Sequence, residues 1–313
     1  KELIAFSEKT GIPVASTLLG LGAFPTDHPN YVGYLGMHGN YGPNINTNQC
    51  DVLIAIGMRF DDRVTGNVSK YAKQARVIHI EIDKAEINKI IKAEVAVHAD
   101  AKEALTELVK FSKPNRFTEW IDTFKTLNQE EFEKVVEKEI KNTNSLKMAE
   151  VVHMLSELTH NEAVIVTDVG QHQMVTSRYY KYKNPRTNIT SGGAGTMGFA
   201  LPTAMGAKVA SPHQQVIAII GDGGYQMTIQ ELGTIMQYKI PVKIIVLNNN
   251  FLGMVRQWQQ LFHGKRYSFT EMDNPDFVKI AEAYKIQADK VTKQIDLENA
   301  LKKMLESPSS YFL

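Results

Sequence analysis

Cysteine, long apolar runs and an excess of one charge are all scarce in this sequence of 313 residues. The single cysteine, Cys50, excludes a disulfide within the chain and a thiolate metal cluster, which favours a reducing, cytoplasmic compartment. Because 35 Lys and Arg residues nearly balance 34 Asp and Glu residues, no strong field attracts nucleic acid or an anionic membrane. The longest apolar runs, 216–220 and 244–247, are far too short to span a bilayer. We therefore expect ligands that are small molecules.

The two ends of the sequence indicate a piece of a longer protein. Lys1 is not an initiator methionine, and residues 2–9 already have helical spacing without the features of a signal peptide. Residues 311–313 are typical of the opening of a strand. We expect a chain that is incomplete at both ends.

Short apolar runs alternate with helical stretches in two regions, residues 1–112 and 147–313. This alternation predicts the α/β class, with two doubly wound, mostly parallel sheets and flanking helices. Hydrophobic residues make up 43% of the chain, which is enough for a core in each region. Between the regions, residues 113–146 include a heavily charged helical run at 129–141, which we interpret as a solvated helical linker.

A glycine-rich turn with one carboxylate follows the apolar strand at 216–220 and reads Gly221-Asp222-Gly223-Gly224. Ligands of parallel sheets bind at the carboxyl ends of the strands, and glycine lets main-chain N–H groups approach an anion such as a diphosphate. We expect a helix to start near Thr228 and to direct its N-terminal dipole at the same place.

The next strand, at 242–247, ends in Asn248-Asn249-Asn250. Asp222 and Asn249 should therefore lie at adjacent strand ends, and their hard oxygen atoms suit Mg²⁺. A Gly-Asp-Gly sequence alone is equally typical of an ordinary strand-to-helix turn. The asparagines at this spacing favour a metal site.

Together, these residues resemble the metal and diphosphate signature of thiamine diphosphate enzymes. The segments 167–174, 191–198 and 252–258 are similar to those of the acetohydroxyacid (acetolactate) synthase family, and the resemblance extends over essentially the whole chain. Gly224-Tyr225 departs from it, because the family more often has Ser-Phe there.

The resemblance implies a role for each matching residue around thiamine diphosphate. Asp222 and Asn249 would bind Mg²⁺ through their side chains, and Phe251 through its main-chain carbonyl. Met197 would be the apolar wedge that bends the cofactor for catalysis, although lone methionines more often fill cores. The implied cofactor contacts are Gly170, Gln171, His172, Gly195, Met197, Gly221, Gly223, Gly224, Gly253 and Met254.

The first region resembles the family's FAD-binding part at residues 35–39 and 57–66. Glu81 and Asp100 would accept hydrogen bonds from ribose. Charge-dense turns of this kind are otherwise solvated loops. Arg63 and Trp258 match positions near the substrate channel, although tryptophan is more often a core or interface residue. The implied FAD contacts are Gly36, Met37, His38, Gly57, Arg59, Asp61, Val64, Glu81, Ile82 and Asp100.

The implied activity is that of an acetolactate synthase. Pyruvate is decarboxylated, and its hydroxyethyl group is transferred to pyruvate or 2-ketobutyrate, in the synthesis of valine, leucine and isoleucine. The resemblance implies a homodimer or homotetramer with a possible small regulatory subunit. It also places the pyrimidine-binding domain and its ring-activating glutamate outside this chain, so we expect the chain alone to be inactive. Two alternatives stay open: another thiamine diphosphate enzyme (pyruvate oxidase or a 2-keto acid decarboxylase), and a non-enzymatic nucleotide-fold binding module.

Overall fold

The computed structural model describes residues 1–141 and 145–313, and the chain forms two compact units. Unit 1 comprises Lys1–Glu137, and unit 2 comprises Lys138–Leu313. The division falls within the predicted linker at 113–146, of which residues 142–144 lie outside the described residues. The domain limits at 112 and 146 stay predictions.

Unit 1 contains two small parallel sheets. One sheet pairs β1 (Val14–Ser16) with β2 (Tyr31–Tyr34), and the other has the order β3 (Val52–Ile56), β4 (Arg76–Glu81), β5 (Val95–His98). The helices are α1 (Glu2–Thr10), α2 (Tyr41–Thr47), α3 (Asp62–Thr65), α4 (Ala101–Phe111) and α5 (Thr118–Glu131).

The charged run at 129–141 is helical, and all of its residues except Glu131 are partly or fully exposed. It begins at the end of α5 and continues through a π-helical turn (Phe132–Val136) into α6 (Glu137–Ile140). Helix α5 packs against α2, where Asn46 Nδ2 donates to Thr123 Oγ1 at 2.8 Å. Phe124 is buried within unit 1. The apolar side of α5 therefore contributes to a core, while its charged side faces water.

Unit 2 is built on one six-stranded parallel sheet with the order β10-β11-β9-β8-β6-β7. Its strands are β6 (Val164–Thr167), β7 (Asn188–Ile189), β8 (Val216–Gly221), β9 (Lys243–Leu247), β10 (Gln287–Ala288) and β11 (Tyr311–Phe312). Its helices are α7 (Met148–Leu158), α8 (Gln171–Tyr179), α9 (Ala200–Ala210), α10 (Asp222–Met227), α11 (Glu231–Tyr238), α12 (Gly253–Phe262), α13 (Phe277–Ala283) and α14 (Gln294–Glu306).

The centre of this sheet determines where its functional residues meet. All six residues of β8 are buried, as expected for a strand covered by helices on both faces. In the register of β8 and β9, Gly221 lies opposite Leu247. The loops that follow these two strands therefore leave the sheet side by side at its carboxyl edge. The α/β class with parallel sheets and flanking helices is confirmed.

The structure corrects one expectation about this edge. A short helix, α10, begins at Asp222 directly after β8 and ends at Met227. The helix expected to start near Thr228 is α11, which begins at Glu231, so the helix at the glycine-rich turn is α10 instead. Gly221 has an extended conformation (φ −83°, ψ 157°), so the chain turns into the helix without an intervening loop. Within the described part of the chain, no helix is both long and apolar enough to cross a membrane.

Candidate cofactor-binding site

A cleft at the carboxyl edge of the unit 2 sheet brings together most of the residues predicted to bind thiamine diphosphate and metal. Gly195 does not line it; this exposed residue follows the short helix Gly192–Ala194 with a left-handed conformation (φ 58°). Met148, Val169, Leu247, Leu252 and Val255, which the sequence did not single out, also line the cleft. The predicted residues in its walls are Gly170, Gln171, His172, Met197, Gly221, Asp222, Gly223, Gly224, Asn249, Phe251, Gly253 and Met254.

Asp222 places its carboxylate at the base of this cleft. The residue is 2% exposed, and both of its carboxylate oxygens accept hydrogen bonds. Oδ1 accepts from the N–H of Gly223 at 3.1 Å, and Oδ2 accepts from Asn274 Nδ2 at 2.8 Å. A carboxylate held at both oxygens is restricted to one orientation. The sequence did not indicate Asn274, which is distant in the chain and follows no strand.

Asn249 and Gln171 connect the loop after β9 to the start of α8. Asn249 Oδ1 accepts from the N–H of Phe251 at 3.0 Å, and its Nδ2 donates to Gln171 Oε1 at 3.3 Å. Gln171 Nε2 in turn donates to Gln257 Oε1 on α12 at 3.1 Å. Asn249 thus lies in the loop after β9, the strand paired with β8 before Asp222, and both residues line the cleft.

At two glycines of the cleft, an added side chain would press against neighbouring side chains. A Cβ on Gly223 would lie 2.8 Å from Leu252 Cδ2 and 3.5 Å from Met197 Cε. A Cβ on Gly253 would lie only 2.2 Å from Gln171 Oε1. The neighbouring side chains would therefore have to move if either glycine were replaced.

His172 lies beneath these glycines, in the first turn of α8. Its ring nitrogen Nδ1 would be 2.7 Å from a Cβ on Gly221, and the residue is 4% exposed. Among the described residues, Nε2 has no hydrogen-bond partner. Burial lowers the pKa of His172 to about 3, so the imidazole is neutral near pH 7. A neutral ring can donate one hydrogen bond, but it offers no positive charge to a diphosphate.

Asp168 is a buried carboxylate that supports the same cleft, and the sequence analysis assigned it no role. Its Oδ1 accepts from the N–H of Phe199 at 2.9 Å, just before α9. Burial raises its pKa, and main-chain hydrogen bonds oppose this effect. A Cβ on Gly224 would lie 1.5 Å from Asp168 Oδ2. With Asp168 in this position, Gly224 has no room for a side chain.

The oxygen atoms available at the cleft suit a hard divalent cation. In residues 1–141 and 145–313, no group of three or more His, Cys, Asp or Glu side chains could hold a metal. A cation here would therefore use one carboxylate, that of Asp222, with the Asn249 amide oxygen and main-chain oxygens. Oxygen donors of this kind fit Mg²⁺, which completes its shell with phosphate oxygens and water.

In unit 1, the residues predicted to bind FAD lie in four stretches of the chain. Gly57 follows β3, Glu81 is the last residue of β4, and Asp100 comes shortly after β5, so these three lie at one edge of the sheet. The N–H of Met37 donates to the carbonyl of Arg63 at 2.7 Å, which joins the segment 36–38 to the segment 57–66.

The two predicted ribose ligands already have local partners. Glu81 Oε1 accepts from the N–H groups of Ile82 and Asp83 at 2.9 and 3.0 Å. Asp100 Oδ1 caps α4 through the N–H groups of Lys102 and Glu103. A carboxylate can accept several hydrogen bonds, so these contacts leave the ribose role a prediction.

Further charged and aromatic side chains predicted near FAD or the substrate are exposed. Arg59 Nε donates to Asp61 Oδ2 at 3.1 Å, and Arg63 forms an ion pair with Asp62 at 3.0 Å. Trp258 lies on α12 and is 38% exposed, beside Phe262. The roles of Arg63 and Trp258 stay predictions.

The fold and the cleft define a class of protein. It is an α/β protein in which Asp222 and Asn249 follow adjacent parallel strands beside a glycine-lined cleft, and oxygen donors at the carboxyl edge of a sheet suit a diphosphate ligand with its metal. Comparison with known families gives the identity within this class. Residues 1–108 match the central domain of thiamine pyrophosphate enzymes, and residues 168–313 match their C-terminal TPP binding domain. The chain belongs to the thiamine pyrophosphate enzymes.

Curated proteins similar to the chain include acetolactate synthases from distant organisms. The chain is 46% identical to the acetolactate synthase large subunit of Lactococcus lactis over 96% of its own length and 52% of the relative. It is 43% identical to a probable large subunit of Methanocaldococcus jannaschii, covering all of the chain and 54% of the relative. Acetolactate synthase 2, chloroplastic, of Zea mays is 44% identical, with 51% of its length covered. The chain thus spans about half the length of the curated relatives it matches.

Proposed function

We propose that the full-length protein is the catalytic subunit of an acetolactate synthase. It would decarboxylate pyruvate and transfer the two-carbon unit to pyruvate or 2-ketobutyrate, giving 2-acetolactate or 2-aceto-2-hydroxybutyrate. The observation that carries this proposal is the cleft of unit 2, where Asp222, Asn249 and Met197 come together. The relatives named above support the choice of this reaction among those of the family.

Within the cleft, Asp222 and Asn249 would hold Mg²⁺ through side-chain oxygens, and Phe251 would do so through its carbonyl. The first N–H groups of a helix have no acceptor in their own helix, so the start of α8 at Gln171 can bind diphosphate oxygens. When bound, thiamine diphosphate supplies the electron sink for decarboxylation. Met197 packs beside Gly223 in the cleft wall, where a bulky apolar side chain can fix the cofactor's conformation.

We also propose that unit 1 binds FAD along the carboxyl edge of its three-stranded sheet. The hydrogen bond from Met37 to Arg63 supports this proposal, because it joins the stretches 36–38 and 57–64, which would both contact the cofactor. Asn44 fixes the first segment, accepting from the N–H of Gly36 at 3.0 Å and donating to its carbonyl at 2.8 Å. To test the site, the purified full-length protein is denatured and the released FAD is measured. A smaller amount of FAD from the Asn44→Leu variant than from the unmodified protein would support the site. Full-length protein without FAD after reconstitution would contradict it.

The assembly and the location of the full-length protein are proposals as well. We propose a homodimer or homotetramer in the cytoplasm, which could associate with a small regulatory subunit. Light scattering of the purified full-length protein tests the assembly, and a monomer would contradict it.

Two measurements on the full-length protein test the main proposal. Calorimetry should show thiamine diphosphate binding that requires Mg²⁺ and is lost in Asp222→Ala, since the carboxylate supplies the metal's negative ligand. Asp296→Ala on α14, outside the cleft lining, is the matched control and should bind as the unmodified protein does.

Product analysis then distinguishes the reactions. Acetolactate from pyruvate supports the synthase, whereas acetaldehyde or acetyl phosphate would assign the protein to a decarboxylase or an oxidase of the same family. Binding that persists in Asp222→Ala would refute the metal site.

A further inference from the structure

One amide side chain outside the predicted site contacts the segments that follow both strands of the cleft. Asn274 Nδ2 lies 2.8 Å from Asp222 Oδ2, 3.0 Å from Asn248 Oδ1 and 3.1 Å from Asn250 Oδ1. Its own Oδ1 accepts from Gln226 Nε2 at 2.9 Å. Asn274 therefore joins helix α10, at Asp222 and Gln226, to the loop after β9.

Asn274 reaches this position on a segment that is paired with the metal loop. The N–H of Leu252 donates to the carbonyl of Thr270 at 2.8 Å, and the N–H of Met272 donates to the carbonyl of Asn250 at 2.9 Å. Between these bonds, Phe251 and Glu271 form an antiparallel bridge. We call residues 270–274 the strap. Because its main chain is fixed to residues 250–252, the strap sets the position of Asn274 independently of any metal.

The hydrogen-bond chemistry fixes which end of the Asn274 amide faces the oxygens. Its nitrogen carries two N–H groups and faces three oxygen acceptors, while its oxygen faces the donor Gln226. The opposite orientation would place four oxygens together. Asn274 thus acts as a donor that draws Asp222 and the asparagine side chains toward one another.

The donated hydrogen bond matters because, in the part of the chain that the structure describes, Asp222 is the only carboxylate that lines the cleft. Gly223 holds one of its oxygens and Asn274 holds the other. Residues that orient a metal ligand from behind change metal affinity by about 10–100-fold when they are removed. Without Asn274, the carboxylate could rotate, and Asn248 and Asn250 would lose a shared donor.

We propose that Asn274 is a positioning residue that orients Asp222 and the Asn248–Asn250 loop for a divalent cation, without itself binding the cation. This inference rests on the proposed metal site at Asp222 and Asn249. It adds the strap as the element that determines how tightly the site holds Mg²⁺.

The experiment measures Mg²⁺ dependence of thiamine diphosphate binding in the full-length protein by calorimetry. In Asn274→Ala, the Mg²⁺ concentration for half-saturation should rise about 10–100-fold. Asn161→Ala is the matched control: Asn161 accepts from Ser156 Oγ at 2.6 Å, at the end of the sheet opposite the cleft. This control should lower the unfolding temperature without changing the Mg²⁺ concentration for half-saturation. It therefore shows whether a loss of stability alone affects Mg²⁺ binding.

A second variant tests whether residue 274 acts as a hydrogen-bond donor or as a ligand of the metal. Asn274→Asp keeps the shape but replaces the N–H groups with a carboxylate facing Asp222, so it should weaken Mg²⁺ binding at least as much as Asn274→Ala. Tighter Mg²⁺ binding in Asn274→Asp would overturn the proposal, because it would make residue 274 a ligand.

Comparison with Asp222→Ala separates the two proposals. If Asp222→Ala loses metal-dependent binding while Asn274→Ala stays within about twofold of the unmodified protein, the inference about Asn274 fails alone. If Asp222→Ala binds normally, the metal site itself is wrong.

Discussion

Burial of His172 makes the stability of unit 2 dependent on pH. The pKa of this imidazole is lowered to about 3 by burial, whereas a histidine in an unfolded chain titrates near 6.5. As the pH falls below the pKa of the unfolded chain, His172 binds a proton in the unfolded chain but not in the folded protein. The stabilisation is therefore complete above pH ~6.5 and is lost as the pH falls toward the folded value.

The size of this loss follows from the two pKa values. Between pH ~7.5 and pH ~5, the linkage relation gives a decrease of about 2 kcal/mol in the free energy of unfolding. Because pH ~5 lies well above the folded pKa, this decrease depends mainly on the unfolded value. Asp168 acts in the opposite direction, since burial raises its pKa and the folded protein then binds a proton more readily. The contribution of Asp168 to the pH dependence must therefore be removed by comparison with a variant that keeps Asp168.

The assay uses the two tryptophans, one in each unit. Trp120 lies on α5 of unit 1 and Trp258 on α12 of unit 2. In a Trp120→Phe background, urea unfolding followed by fluorescence reports unit 2 alone. We compare this protein with His172→Gln, which does not titrate, at both pH values without cofactor. The contribution of Asp168 is common to both proteins and cancels in the difference.

The expected result is a pH-dependent loss of stability that is about 2 kcal/mol smaller in His172→Gln. The substitution also changes packing, and with it the absolute stability at pH ~7.5, so only the change with pH is interpreted. Equal pH dependence, to within about 0.5 kcal/mol, would refute the reasoning. It would show that the folded protein accommodates a charged His172, and hence that this ring could attract a diphosphate.

Lys243 and Gly253 provide two further predictions. Lys243 is 4% exposed in β9 and donates to two main-chain carbonyls, and burial lowers its pKa to about 8. Unit 2 should therefore become more stable as the pH rises from about 8 to 10, because in this range the unfolded chain binds more protons than the folded protein does. Urea unfolding measures this rise in stability, and Lys243→Met should abolish it. Gly253→Ala should weaken cofactor binding at least about tenfold in calorimetry, since its Cβ would displace Gln171 Oε1. Gly206→Ala, whose Cβ meets no described atom within 4 Å, should leave binding unchanged and stabilise α9 by about 0.5–1 kcal/mol.

The sequence was sufficient for the parts of the site that follow from strand ends. The apolar run before Gly221 and the one before Asn248 predicted two buried strands, and parallel pairing then placed Asp222 and Asn249 at one edge. Repeated alternation predicted the α/β class. The strand ends and the α/β class could both be predicted because they depend on patterns among residues that are close together in the sequence.

Strand order and the strap could not be predicted, because they depend on contacts between distant segments. Nothing in Tyr311–Phe312 shows that this strand lies between β10 and β9. Asn274 sits in a segment without periodicity, and only the pairing of residues 270–272 with 250–252 brings it to Asp222. Asp168 was visible as a polar residue after β6, but its contact with Gly224 follows from the packing of α10.

The charge of the cleft leads to a last prediction about the order in which its ligands bind. The cleft lining supplies one carboxylate, so a divalent cation at Asp222 would retain a net positive charge. Asn249 and Asp222 also have protein partners already, which a cation must partly displace. Mg²⁺ alone should therefore bind weakly, and the negative charge of the diphosphate should supply most of the attraction.

Because coupling between two ligands is reciprocal, thiamine diphosphate should raise Mg²⁺ affinity by the same factor that Mg²⁺ raises cofactor affinity. Titration of the full-length protein with each ligand, alone and in the presence of the other, measures both factors. Tight Mg²⁺ binding without cofactor would contradict this argument, since it would require a second negative ligand that the described cleft of unit 2 does not contain. Weak Mg²⁺ binding that the diphosphate strengthens would show that the protein contributes orientation, and the cofactor contributes charge.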